Sequence, residues 1–141
     1  LFRERLHLVA APDHPLAQKG VVRKEDLKGA PILGLHASHH LHRHVAALCM
    51  DLEMQLLRDY EGTSLDSLRQ MAGTGLALTI LPDLYILSEA GGSLGIRVVE
   101  VENWQPTRSI AVAWRRGAAY ADAYRTIAET VQREARALMH P

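Results

Sequence analysis

Thr63-Ser64-Leu65-Asp66-Ser67-Leu68-Arg69-Gln70-Met71-Ala72-Gly73-Thr74-Gly75-Leu76-Ala77-Leu78-Thr79-Ile80-Leu81-Pro82 holds a complete helix-then-strand unit. Thr63 and Asp66 have the spacing of a capping box, in which two side chains satisfy the free N–H groups of a helix start. Leu65, Leu68 and Ala72 then share one helical face, and Gly73 can close the helix in a left-handed cap. The run Leu76 to Leu81 is apolar at both parities, so it reads as a central strand covered on both faces. Pro82 opens a short helix through Leu87, closed by Gly91-Gly92.

Upstream, Pro31-Ile32-Leu33-Gly34-Leu35 is suited to a buried strand. From His39 onward Leu41, Val45, Leu48, Leu52 and Leu56 form one helical stripe that Ser38 can cap, and Leu57 to Tyr60 reads as a strand. This alternation of strand and helix favours a mainly parallel sheet with helices on both faces. Further out, Leu6 to Ala11 reads as a strand stopped by Pro12-Asp13-His14-Pro15, and Arg23 to Lys28 as one helical turn. Ile96 to Val101 and Ile110 to Trp114 read as strands on either side of a turn at Asn103 to Pro106. A last helix carries Tyr120, Tyr124, Ile127, Val131 and Leu138 as a stripe to lay on a sheet. The first strand and the last strand and helix stand outside the central βαβαβ unit, as parts of a second lobe. Two lobes joined by two crossing strands enclose a cleft for a small ligand at the carboxyl ends of the strands.

The chain has 141 residues, 48% of them apolar, enough for one real core. Sixteen basic residues balance sixteen acidic ones, which argues against a surface built to grip nucleic-acid phosphates. No apolar run approaches the roughly 18 residues of a membrane span. The single cysteine, Cys49, rules out a disulfide within this chain and fits a reducing, cytoplasmic setting. The chain begins at Leu1 rather than Met, and so reads as a piece of a longer protein.

Three helix starts or strand ends bring polar groups to the expected cleft: Ser38 with His39, Thr63 with Ser64, and Thr79 near Pro82. A helix N-terminus attracts anions through its free N–H groups and dipole, and hydroxyls add to this, though plain capping explains the same residues. His36-Ala37-Ser38-His39-His40-Leu41-His42-Arg43-His44 holds five of the eight histidines. His40 and His44, four apart on a helix, could share a divalent metal with His36 as third ligand, but no carboxylate lies in the stretch to complete or orient the set. No metal and no cofactor are therefore expected. Cys49 on the flank of the stripe reads as a small buried hydrophobe. No nucleophile motif or phosphate loop is present, so no enzymatic activity is expected.

Pro12 to Ala17, Asp26 to Gly29, Thr63 to Met71 and Gly73 to Pro82 together resemble the effector-binding domain of LysR-type transcriptional regulators. Arg108-Ser109-Ile110-Ala111-Val112-Ala113-Trp114-Arg115-Arg116-Gly117 extends the similarity toward the hydrogen-peroxide-sensing, OxyR-like branch. The resemblance implies an α/β fold of periplasmic-binding-protein-like, two-lobe architecture, with one complete Rossmann-like lobe plus the C-terminal part of the other. Residues 1–11 would be the end of lobe one and a crossing strand, 12–107 lobe two, and 108–141 the returning strand and C-terminal helix of lobe one. It also implies a bacterial regulator, active as a homodimer or higher homo-oligomer, that binds a small effector, anionic on the groups above, and DNA only through a winged helix-turn-helix elsewhere in the full chain. A periplasmic-type solute-binding module and a histidine-cluster metal sensor are the alternatives. The peroxide-sensing branch carries a Gly-His-Cys-Leu-Arg-Asp run whose Cys attacks peroxide, with a second Cys nine residues on. Here the matching residues are Ser38-His39-His40-Leu41-His42-Arg43, with Cys49 in the second place. An imidazole cannot form the sulfenic acid that starts that cycle, which excludes peroxide sensing by an intrachain disulfide and leaves His39 and His40 to a polar ligand.

Overall fold

β5 (Leu78–Pro82) lies at the centre of the sheet and is buried at every position, as a run apolar at both parities requires. It runs parallel to β3 (Pro31–Leu35) on one side and antiparallel to β1 (Phe2–Ala10) on the other. β4 (Gln55–Gly62) lies outside β3 and β6 (Arg97–Val98) outside β1, giving the order β4-β3-β5-β1-β6. β8 (Thr107–Ile110) pairs with the first half of β1, while β2 (Val21–Val22) and β7 (Glu100–Val101) form a separate parallel pair. The computed structural model describes residues 1–89 and 95–139. The sheet is mixed rather than mainly parallel, because β1 runs against β5, β6 and β8 and only the β3, β4 and β5 unit keeps one direction.

Between these strands α2 (His40–Asp51) buries Leu41, Val45 and Cys49, and α3 (Leu65–Gly73) buries Leu68 and Ala72, the faces their spacing picks out. α4 (Asp83–Ser88) follows β5 directly, and α5 (Ala121–Met139) packs on α4 and β1. Leu6, Leu8, Leu33, Leu78, Ile80 and Leu81 from the strands meet Leu41, Val45 and Leu68 in one core. Full burial of each such leucine contributes about 1.5–3 kcal/mol. The first residues after β1 do more than loop: α1 (Pro15–Gln18) and a 3-10 turn at Lys24–Leu27 follow it.

Several boundaries differ from the sequence expectation. α2 stops at Asp51 because Glu53 takes a left-handed conformation (φ 51°), so Leu56 leaves the helical stripe and enters β4. Ser38 does not cap α2; the cap position is His39, and no side chain bonds there. The capping box of α3 is Ser64 with Ser67, not Thr63 with Asp66. Gly73 is the last helical residue, and the left-handed turn falls on Gly75 (φ 83°). Gly73 is small for another reason: a Cβ there would lie 2.9 Å from the Gly95 carbonyl oxygen. Leu76 is exposed and precedes β5, the expected strand at Ile96 to Val101 divides at Val99 into β6 and β7, and the last strand starts at Thr107. Gly91-Gly92 lie outside the described residues. On α5 only Ala135 is buried, so the stripe Tyr120, Tyr124, Ile127, Val131 and Leu138 is open to solvent rather than laid on a sheet.

The end of β4 is tightly fitted: a Cβ on Gly62 would stand 2.6 Å from Cδ2 of the buried Leu68. Gly62→Ala is expected to cost about 1–3 kcal/mol by overpacking. The cost should shrink when Leu68→Ala is added, because the two changes share one space. Chemical denaturation of the two single variants and the double variant measures this, and additive losses would contradict it.

Candidate functional site

Leu35 of β3 and Gly62 of β4 are register partners, and the His36 N–H donates to the Gly62 carbonyl at 3.1 Å. The turns that follow, His36 to His39 and Thr63 to Ser64, therefore leave the sheet side by side. β5 runs in step with β3, Leu33 beside Thr79, so it ends at the same edge. Across this edge pass β1 and β8: Leu6 of β1 sits opposite Pro82, and Arg5, Glu4 and Arg3 pair with Thr107, Arg108 and Ser109 of β8. The carboxyl ends of three parallel strands, two helix starts and a crossing ribbon thus meet at one place, the usual position of a ligand in an open α/β sheet.

Ser38 is exposed and turned toward His36, whose Nδ1 accepts from the Ser38 N–H (3.3 Å) and faces its hydroxyl (3.0 Å). Those contacts place the neutral ring's proton on Nε2, which faces Glu61 Oε2 at 3.8 Å. His39 and His40 are exposed at the start of α2. His42 Nδ1 donates to the Leu35 carbonyl at 2.7 Å and so fastens the helix to the end of β3. Ser67 Oγ accepts from the N–H groups of Thr63 (3.0 Å) and Ser64 (3.1 Å), and Ser64 Oγ accepts from the Ser67 N–H. The hydroxyl protons of Thr63 and Ser64 enter no hydrogen bond among the described residues and remain available to a ligand. Thr79 does not reach the edge: it is fully buried beside Leu33 in the middle of the sheet, and its hydroxyl donates to the Leu33 carbonyl at 3.2 Å.

His40 and His44 lie one turn apart with ring centroids 5.1 Å from each other. Among the described residues no group of three or more His, Cys, Asp or Glu side chains is placed to hold a metal ion. Partial burial lowers the proton affinity of His44, and the nearby His40, Arg108 and Arg43 lower it further. The charged groups that act on His44 are thus all cationic. Burial pushes the Cys49 thiol up to about 11, and it is 5% exposed. A thiol so placed is inert.

Two residues here escaped the sequence reading. Arg108 on β8 brings a guanidinium to the site, and Glu4, its partner across the ribbon, accepts from Arg108 Nε at 2.7 Å while 2% exposed. A signal existed: Glu4 has the same parity as Leu6 and Leu8 in β1, so the strand pattern itself places a carboxylate on the buried face.

A family profile described as LysR substrate binding domain matches residues 1–136. A hydrogen peroxide-inducible genes activator of Haemophilus influenzae is 27% identical over 139 residues, 99% of this chain and 46% of that protein. The Escherichia coli DNA-binding transcriptional dual regulator OxyR is 29% identical over 94% of this chain and 43% of its own. A crystal structure of the reduced form of OxyR superposes with a TM-score of 0.76 at 29% identity, covering 99% of this chain and 63% of the other. The chain spans less than half the length of the curated relatives it matches.

Two outcomes follow from the titrating groups. Because folding lowers the His44 proton affinity, the unfolded chain takes up its proton first, so stability is retained above about pH 6.5 and lost as pH falls below it. Denaturation at pH 7.5 and 5.5 should show a smaller acid loss for His44→Gln than for the unchanged protein; equal losses would refute it. With its thiol at about 11 against an unshifted 9.0, Cys49 at pH 8 should react with iodoacetamide about 100-fold more slowly folded than unfolded. Comparable rates would show that the thiol is not shielded.

Proposed function

The chain belongs to the LysR substrate-binding domain family, and from that premise we propose that it senses a small anionic effector at the edge where β3, β4 and β5 end. Occupancy of this site would alter DNA binding by a winged helix-turn-helix elsewhere in the full regulator, a cytoplasmic homodimer or higher homo-oligomer. The division into 1–11, 12–107 and 108–141 belongs to the same reading, with β1 and β8 as the two strands joining the lobes. The observation that carries the ligand class is Arg108, held by the buried Glu4 on the β1–β8 ribbon that crosses the edge where α2 and α3 begin. Helix starts, the hydroxyl protons of Thr63 and Ser64, uncommitted among the described residues, and a guanidinium together favour a carboxylate or phosphate. Ser38, His39 and His40 complete the rim.

Several relatives carry names that tie them to hydrogen peroxide. The one cysteine of this chain is buried with a raised proton affinity, and His40 stands where the resemblance places the attacking thiol. The effector is therefore read as a binding ligand rather than an oxidant acting through an intrachain disulfide. Any ligand that binds one arrangement of the lobes better than another shifts the equilibrium between them.

A thermal-shift panel of small carboxylates, phosphates and divalent metals on the intact regulator tests this, since a ligand of the native state raises its melting point. A shift with an anion is expected. Ser64→Ala and Thr63→Val should each weaken the effector response of operator binding by about two- to tenfold, the worth of one hydrogen bond, while leaving operator affinity without effector unchanged. A response to metal alone, lost in His40→Ala, would replace this reading with the metal-sensor one. An unaltered dose-response in both hydroxyl variants would remove Thr63 and Ser64 from the site.

A further inference from the structure

Glu4 is the most deeply buried acidic side chain among the described residues, and its carboxylate is 1% exposed. Both oxygens are committed. Oε1 accepts from Arg108 Nε at 2.7 Å, and Oε2 accepts from the backbone N–H of Leu84 at 3.1 Å. Arg108 is its register partner on β8, and Leu84 is the second residue of α4. One buried group thus joins the two crossing strands to the helix that leaves the central strand. A carboxylate at a helix start is further favoured by the helix dipole.

Glu4 engages Arg108 through Nε alone, and the two terminal nitrogens make no other hydrogen bond among the described residues. The guanidinium is a quarter exposed, and its charge is felt at His44. Arg108 is therefore anchored from behind with its open N–H groups left for a ligand, the arrangement that bidentate recognition of an oxyanion needs. The anchor also continues into the other half of the site. From α4, the Tyr85 hydroxyl donates to Asp66 Oδ1 at 2.5 Å and accepts from Arg69 Nε at 3.1 Å, both on α3, whose N-cap is Ser64. On the other face of β1, His7 Nε2 meets Asp83 Oδ1 at 2.8 Å and holds the start of α4 a second time.

We propose that Glu4 is the positioning residue of the effector site: it orients Arg108 toward the bound anion and, through Leu84, ties α4 and the start of α3 to the same guanidinium. The proposal rests on the anion reading of the edge. It makes a prediction opposite to that of bulk charge. Removing a carboxylate from beside a cationic site strengthens anion binding if only charge matters, and weakens it if orientation matters.

The experiment is a calorimetric titration of the intact regulator with inorganic phosphate and with acetate, alongside Arg108 Nε–H spectra of the 15N-arginine-labelled protein. In the unchanged protein the Nε–H signal should be slow to exchange and should shift on addition of phosphate; a fast-exchanging signal that ignores phosphate overturns the proposal without any variant. Glu4→Gln, which keeps the shape, should lower affinity for both anions by about tenfold and speed the exchange of that signal. Glu4→Asp, which keeps the charge and withdraws the carboxylate by one methylene, should lower affinity in the same direction, with folding of both variants checked by circular dichroism. Arg108→Lys should weaken binding in the unchanged protein and add little in the Glu4→Gln background. If Arg108→Lys has no effect, the anion reading itself fails. If it weakens binding while Glu4→Gln leaves affinity unchanged or raises it, the site stands and the positioning role of Glu4 is overturned.

Discussion

A strand that shows no side chain to water needs a neighbour on each edge and a layer on each face, and β5 imposes that demand on everything around it. β3 satisfies one edge in parallel, which obliges helices α2 and α3 to carry the chain back between β3, β4 and β5. β1 satisfies the other edge in the opposite sense. The carboxyl end of β5 therefore lies beside the middle of β1, and the first half of β1 is free to continue past the sheet with β8 as its partner. The site follows from this geometry rather than from any one motif. Parallel strands deliver their helix starts to one edge, and an antiparallel neighbour delivers a crossing ribbon to the same edge.

What could be read from the sequence separates cleanly by range of interaction. The buried faces of α2 and α3 and the central place of β5 depend on periodicities of a few residues, and these were legible. Boundaries were less so, because they turn on single residues with alternatives close in energy. Ser64, Ser67 and Thr63 all offer hydroxyls, and the choice of Ser64 with Ser67 depends on where the chain leaves β4. The left-handed Glu53 that ends α2 has no local signature, since glycine or asparagine is the residue expected there. Leu56, spaced for the helix, was taken by the sheet instead.

Site residues show the same division. Ser38, His39, His40, Thr63 and Ser64 lie at the edge because turns after parallel strands must lie there, and that much is a local inference. Thr79 was misplaced by three residues of strand: counting from Pro82 puts it near the end, whereas its register with Leu33 puts it in mid-sheet, where its hydroxyl is spent on the Leu33 carbonyl. Glu61 reaches His36 only because β4 lies beside β3. Glu4 and Arg108 are 104 residues apart, and nothing short of the β1–β8 pairing brings them together. The parity of Glu4 with Leu6 and Leu8 announces a buried charge, but not its partner.

The cations at this edge set its electrostatic character. In a thiol-based sensor, nearby Arg or protonated His stabilises the thiolate and so serves a negative charge that the protein itself supplies. With an imidazole at position 40, the edge gathers Arg43, His44 and Arg108 without a thiolate among them; one carboxylate, Glu4, is turned inward onto Nε of Arg108 and the start of α4, and another, Glu61, lies beside His36. His44 records the imbalance: beyond its partial burial, the surrounding positive charge makes it release its proton more readily than an ordinary histidine. On the proposed reading, the cations, the open hydroxyl donors and the one anchored guanidinium act together on a small oxyanion, which they meet with charge and geometry at once.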